Sequence, residues 1–496
     1  MVRPSLGTCQ GWAINGREPT FVVSRAKRRV VSDTVRGRTP VRSPRNRTPS
    51  GASHESTLSL DSDHTTGAAI PTADETSELG PLIPASNTAA AAWALFTGIG
   101  LMMIGNGLQG TLVGIRSEQA GFGTNTIGIV MSGYFVGILV GSRAATKALR
   151  SVGHIRVFAA LASLASTATL VYLLTVNPVA WGLMRFAMGF CMAGLYVVAE
   201  SWINDLATNA NRGRMLAFYM VVSMGGFAVG QLLLNIPDRT GVQLFLISSV
   251  LISLALVPTS LSASSSPPTL TPDIMSIRDL AAIVPTGIVV SVLVGMANGA
   301  LIGMGAVYAT RAGLGPGEVS LFMGAPMIGG VIGQFPVGLL ADRFPRRPIM
   351  IALGFIAAVA ATALLIVDSG SVPGYLLMFI IGTCTFPLYS LSIAYTNDWI
   401  QPEQILGASA ALVTTNAVGA TVGPFLATVL MNTFGPPQYF VSLIITHAAV
   451  GLYVVYRVLT KPGSMIPRPK DFRPYPARAS AVAVFLLPRR TRRNGA

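Results

Sequence analysis

Arg185 is the only basic residue well inside a long apolar stretch of this 496-residue chain. A charge in such surroundings is costly and marks function by default. A lone cation there suits an anionic group or a proton-coupling step. Two placements fit its position, about two helical turns from the end of its stretch. The guanidinium lines an interior cavity, or it snorkels outward on its apolar stem. Glu200 follows 15 residues later, about 22 Å along a helix, so the two do not pair directly. Glu200 and Asp205 belong beside the basic connection that holds Arg143, Lys147, Arg150 and Arg156. Salt bridges that gate a passage are the first reading of these acids, and proton transfer by Glu200 is the second. Asn106, Gln109, Tyr196, Asn298, Tyr308, Tyr389, Tyr395 and Asn416 are polar handles in otherwise apolar stretches. They are candidates to line a cavity, or they bond one helix to the next. Asn106 sits at a depth similar to that of Arg185 and would share its polar layer.

Other chemistries have no footing. There is no G-x4-G-K-[ST] loop for nucleotide phosphates, and no HExxH or GxSxG motif. No nucleophile–base pair stands out, which argues against an enzyme. The three cysteines, Cys9, Cys191 and Cys384, form no CxxC, and the four histidines do not cluster. No metal and no cofactor are expected.

The elements that must position these residues follow from composition. Hydrophobic residues make up 51% of the chain and charged ones only 11%, against about a quarter in soluble domains. The net charge is +15, but residues 1–88 and 457–496 carry 21 of the 35 basic side chains. The middle is almost uncharged. That pattern excludes a soluble enzyme, and it excludes nucleic acid as the partner of the positive charge; a bilayer takes that place. Twelve apolar runs are long enough to span a membrane: near 89–113, 125–148, 155–177, 179–203, 213–236, 241–262, 285–309, 317–341, 347–367, 374–398, 406–432 and 438–459. Runs this long read as helices, giving an all-α membrane protein. Residues 1–88 read as a disordered basic tail, 263–284 as a cytoplasmic linker between six-helix bundles at 89–262 and 285–460, and 461–496 as a basic tail. Connections after even-numbered helices hold most of the Lys and Arg, so both termini are expected in the cytoplasm, with the protein in the plasma (inner) membrane.

The two halves repeat. A shift of 192 residues pairs Asn106 with Asn298, Gly137 with Gly329 and Gly141 with Gly333. One more residue pairs Gly189 with Gly382, Asp205 with Asp398 and Gly230 with Gly423. Six helices per half makes the repeats parallel, related by an axis along the membrane normal. Glycines spaced by four, such as Gly133, Gly137 and Gly141, let helices approach closely. They would serve tight packing, and also sliding between the halves.

The connection before the ninth run reads Gly338-Leu339-Leu340-Ala341-Asp342-Arg343-Phe344-Pro345-Arg346-Arg347. It resembles the signature loop of the major facilitator superfamily, roughly G-x-L-A-D-R-x-x-R-R. In the first half that loop is degraded, with Arg150 where Asp342 would stand. Arg185 followed by Gly189 matches the family's fourth-helix pattern. The resemblance covers about 89–460. It implies two pseudo-symmetric six-helix bundles, a cavity lined mainly by helices 1, 4, 7 and 10, and alternating access. Asp342 should cap a helix or pair with an arginine. It joins Arg343, Arg346, Arg347, Arg150, Asp398, Glu200 and Asp205 as the expected gating set.

The function expected is secondary transport of a small solute by a monomer coupled to protons. Efflux is favoured because Met102, Met103, Met188 and Met192 suit amphiphilic cargo. Against it, the drug-antiporter pattern Gly-x-x-x-Gly-Pro is incomplete, since Gln231 follows Gly230. Uptake of a nutrient or organic anion stays open. A non-transporting sensor with the N-terminal tail as its output arm is the reading from another class.

Overall fold

In the computed structural model, residues 85–206, 212–238, 241–261, 275–401 and 404–460 are described. Their regular elements are helices, with no strand among the described residues. They are α1 (Ala85–Gln119), α2 (Thr124–Val152), α3 (His154–Val171), α4 (Pro178–Leu206), α5 (Arg212–Leu232), α6 (Gln243–Leu254), α7 (Leu256–Leu261), α8 (Ile277–Ile283), α9 (Pro285–Arg311), α10 (Pro316–Arg343), α11 (Arg346–Ala363), α12 (Val372–Asn397), α13 (Ile405–Phe434) and α14 (Gln438–Thr460). Among the described residues, twelve spans are long and apolar enough to cross a bilayer, with α6 and α7 sharing the sixth. The break between those two follows from Pro258. It has no N–H to offer the Leu254 carbonyl, and its ring crowds that turn.

The expected spans are all present, with ends displaced by a few residues. α1 begins at Ala85, inside the segment expected to be disordered, because apolarity alone does not mark where a helix starts. The rest of that tail (1–84), residues 262–274 of the linker and the C-terminal tail (461–496) lie outside the described residues. The linker's end is not featureless. α8 occupies it, capped by the Ser276 hydroxyl, which accepts from the Asp279 amide.

The repeat in the sequence is a repeat of contacts. Gly137 on α2 lies against the Phe186 carbonyl of α4, and Gly329 on α10 lies against the Phe379 carbonyl of α12. Gly141 meets Phe190 where Gly333 meets Thr383. Gly230 meets Ile104 on α1 where Gly423 meets Met296 on α9. Each pair of contacts obeys the 192–193 residue offset. At every one of these glycines a Cβ would collide with backbone, so the small residue sets the helix separation. The contacts lie within a half: α2 on α4, α5 on α1, α13 on α9. Sliding between the halves, the second role expected for these glycines, is therefore not theirs. Each locks its own bundle.

The turns after α1 and α9 match too. Gly121 and Gly313 have φ of 73° and 84°. Phe122 N bonds Ser117 O where Leu314 N bonds Ala309 O, closing both helices with the same 6→1 bond. Alternation of the spans puts Ala85 and Thr460 on one face of the bundle, here the terminal face. The α1–α2 turn lies on the opposite face.

Candidate functional site

Arg185 is buried, 2% exposed, which removes the snorkelling alternative. Its Nη1 donates to Gln109 Oε1 on α1 at 3.2 Å. Its guanidinium lies 4.8 Å from the ring centroid of Tyr134 on α2. The Tyr134 hydroxyl and the Asn106 amide are 3.4 Å apart. Asn106 and Gln109, three residues apart, share one face of α1. Asn106, Gln109 and Arg185 thus form one polar layer, as the depths of Asn106 and Arg185 suggested. Tyr134 is a member that sequence reasoning missed, because a tyrosine in an apolar run carries no signal of which way it points.

A second layer surrounds Glu200, which is 0% exposed. Tyr219 of α5 donates its hydroxyl to Glu200 Oε1 at 3.2 Å. Tyr389, from α12 of the other half, lies within electrostatic reach of the same carboxylate. Tyr196 on α4 donates to Met103 Sδ at 3.7 Å. A small chamber of ≈ 30 Å³ lies between the halves here, and Met103, Tyr196, Tyr219, Met327 and Phe386 are among its walls. That is room for about one water.

Three other polar handles of the second half, Tyr308, Asn416 and Asn298, make no hydrogen bond to either layer among the described residues. Tyr308 bonds Ser369 Oγ at 2.6 Å and stacks on Tyr439 with centroids 5.0 Å apart. It is core of the second bundle. Asn416 donates to Ser291 O at 3.0 Å and ties α13 to α9. Asn298 is 6% exposed, and its Oδ1 has no hydrogen-bond partner among the described residues.

The expected gating set divides. Arg346 Nε donates to Asp398 Oδ2 at 2.7 Å, with side chains only 2% and 5% exposed. Arg347 donates to the Tyr395 hydroxyl at 3.0 and 2.8 Å. Both links join α11 to α12 of one half, so they brace that half. Asp342 and Arg343 are exposed at the end of α10. The side chains of Arg150 and Asp205 lie outside the described residues.

A charged contact across the halves sits on the opposite face, where sequence reasoning had only counted arginines. Arg311 at the end of α9 donates Nε to Glu118 Oε2 of α1 at 2.8 Å. Its Nη1 donates to Thr124 Oγ1 of α2 at 2.5 Å. Asn235 donates to Ser320 Oγ at 3.2 Å. Gly128 on α2 packs against Thr428 on α13, and Gly114 on α1 against Val307 on α9. Together they close that face. Next to them, Arg116 meets Asp238 at 3.3 Å within the first half.

Comparison with known proteins matches this architecture. The family profile described as Major Facilitator Superfamily matches residues 95–285 and 287–492. An uncharacterized MFS-type transporter of Yersinia pestis (strain Pestoides F) is 28% identical over 374 residues, 74% of this chain and 95% of that one. The crystal structure of the nucleoside transporter NupG superposes with a TM-score of 0.60 at 13% identity, covering 76% of this chain and 100% of that one. A bacterial homolog to the human lysosomal transporter Spinster, inward-facing and occupied, gives 0.59 at 14% identity, covering 77% and 96%. At such identities the two structures speak for the fold alone. The profile spans both halves of the helical bundle, and the chain belongs to the Major Facilitator Superfamily.

Proposed function

We propose that this chain is a secondary active transporter that moves a small solute by alternating access, coupled to protons, with export as its direction. Residues 89–262 and 285–460 act as two rocking bodies around the central chamber, and 263–284 links them. The protein works as a monomer in the plasma (inner) membrane with both termini in the cytoplasm. The observation that carries the reading is Glu200. A fully buried carboxylate, held by Tyr219 beside an inter-half chamber and within reach of Tyr389 of the other half, is a group whose protonation changes what the two halves feel. Methionine and aromatic walls suit an amphiphilic solute and favour export.

Arg185 supports a second reading: uptake of a nutrient or organic anion. Its charge sits in a layer with Asn106 and Gln109 and offers a fixed counter-charge. The experiment is a screen in proteoliposomes loaded with pyranine under an imposed pH gradient. Lipophilic amines, organic anions, nucleosides and sugars are added in turn. A solute-dependent change in lumenal pH supports coupled transport, and the responding class chooses between the readings. Solute movement that ignores the gradient refutes the coupling.

A further inference from the structure

The inner chamber of ≈ 30 Å³ has room for about one water, and so for one bare metal ion. Four methionines are among its walls: Met103 of α1, Met220 and Met224 of α5, and Met327 of α10. The first three belong to one half and Met327 to the other. Met220 and Met224, four residues apart, share a face of α5. Met103 and Met327 are 2% and 1% exposed. One methionine at such a place is ordinary gap-filling. Four around the space for a single small atom also make a shell of soft donors.

The sulfur of one of them is located by its bond. Tyr196 donates its hydroxyl to Met103 Sδ at 3.7 Å. This thioether therefore acts as an electron-pair donor at the chamber wall, and sulfur has a second lone pair. Tyr219 and Ser223 also bring hydroxyls to the wall, side by side. Tyr219 donates to Glu200 Oε1 at 3.2 Å, so a buried carboxylate stands directly behind the wall. A monovalent cation in the chamber would meet one negative charge in a medium of low dielectric, which offsets the cost of burying it. Among the described residues no three His, Cys, Asp or Glu side chains are grouped to hold a metal; the donors here are thioethers.

Thioethers are poor ligands for hard cations, which take oxygen. They select Cu(I). We propose that the chamber is a binding site for one soft monovalent cation, Cu(I), held by the thioethers of Met103, Met220, Met224 and Met327 with Glu200 as the counter-charge. Because the ligands come from both halves, the bound ion ties α1 and α5 to α10. The inference goes beyond the transporter reading and does not rest on it.

The test uses the full-length protein in detergent with Cys9, Cys191 and Cys384 replaced by Ala, so that no thiol competes. It is titrated anaerobically with Cu(I) against bathocuproine disulfonate, whose colour reports the Cu(I) it holds. The proposal predicts one Cu(I) withdrawn per chain, with sulfur neighbours in its X-ray absorption spectrum. Ag(I) should displace it and sodium should not. Met103→Leu and Met327→Leu keep the side-chain volume. Each should weaken binding at least about tenfold, equivalent to 1.4 kcal/mol, while the melting temperature of the metal-free protein stays put. Met350→Leu, on α11 and away from the chamber walls, should leave the affinity unchanged. Three results overturn the proposal: no Cu(I) taken from the chelator, oxygen or nitrogen neighbours around the copper, or full affinity in the protein carrying both Met103→Leu and Met327→Leu. The spectrum of the unsubstituted chamber decides even where a leucine variant fails to fold. Failure of the transporter reading shows separately, as pyranine vesicles that respond to no solute class.

Discussion

Releasing Arg311 should open the opposite face. In the closed state its guanidinium joins α9 to both α1 and α2 of the other half, at 2.8 Å to Glu118 and 2.5 Å to Thr124. The side chains of Arg311 and Glu118 are 21% and 23% exposed, so the ion pair is screened and contributes about 1 kcal/mol. The bond from the charged guanidinium to Thr124 adds about 1 kcal/mol more. Removing both with Arg311→Ala costs the closed state about 2 kcal/mol, which is about a 30-fold shift between access states. The reporter is Ala306→Cys, at a residue 1% exposed beneath the closure, in a background with Cys9, Cys191 and Cys384 replaced by Ala. A membrane-impermeant maleimide added from the opposite face reads how often that face opens. Labelling should run about 30 times faster with Arg311→Ala and about 5 times faster with Glu118→Gln, which spares the Thr124 bond. The double variant should label no faster than Arg311→Ala alone. Rates within about twofold of the reference, a difference under 0.5 kcal/mol, refute the reasoning.

Three further outcomes follow from the packing. Arg185→Ala should abolish transport in the vesicle assay while Arg185→Lys keeps part of it, and full activity in the alanine variant would remove Arg185 from the mechanism. Gly137→Ala and Gly329→Ala should each lower the melting temperature in detergent through a cost of about 1–3 kcal/mol, since each Cβ strikes a facing carbonyl. Gly110→Ala, with nothing within 4 Å of the new methyl, should not lower it, because the helix gains about 0.5–1 kcal/mol. Arg346→Met should cost about 3–5 kcal/mol by stranding buried Asp398, and adding Asp398→Leu should restore much of the loss in the same melting assay.

The architecture was legible because it is written in periods and offsets. Long apolar runs admit only helices in lipid, and the 192–193 residue shift that matched Gly137 to Gly329 also matched the carbonyls they touch, Phe186 and Phe379. Depth was legible as well: Arg185 and Asn106 belong to one layer because rise per residue fixes height. Azimuth was not. An α-helix in an apolar medium shows little amphipathicity, so Tyr308 and Asn298 looked alike although Tyr308 is core of the second bundle. Pairing over long separations was hidden for a related reason. Arg311 and Glu118 lie 193 residues apart, and nothing local to either names the other. The brace between Arg346 and Asp398 shows the converse limit: the right residues were singled out, but a pair inside one half cannot by itself report on the gap between halves.

The coupling claim rests on Glu200, and Glu200→Gln tests it most directly. The substitution keeps the size of the side chain and its bond to Tyr219 while removing the titratable proton. In proteoliposomes, two rates are measured for the solute class that responds in the screen: accumulation driven by an imposed pH gradient, and exchange of labelled for unlabelled solute at equal pH. Loss of gradient-driven accumulation with exchange retained is the predicted result. Gradient-driven accumulation equal to wild type in the Glu200→Gln protein would contradict it.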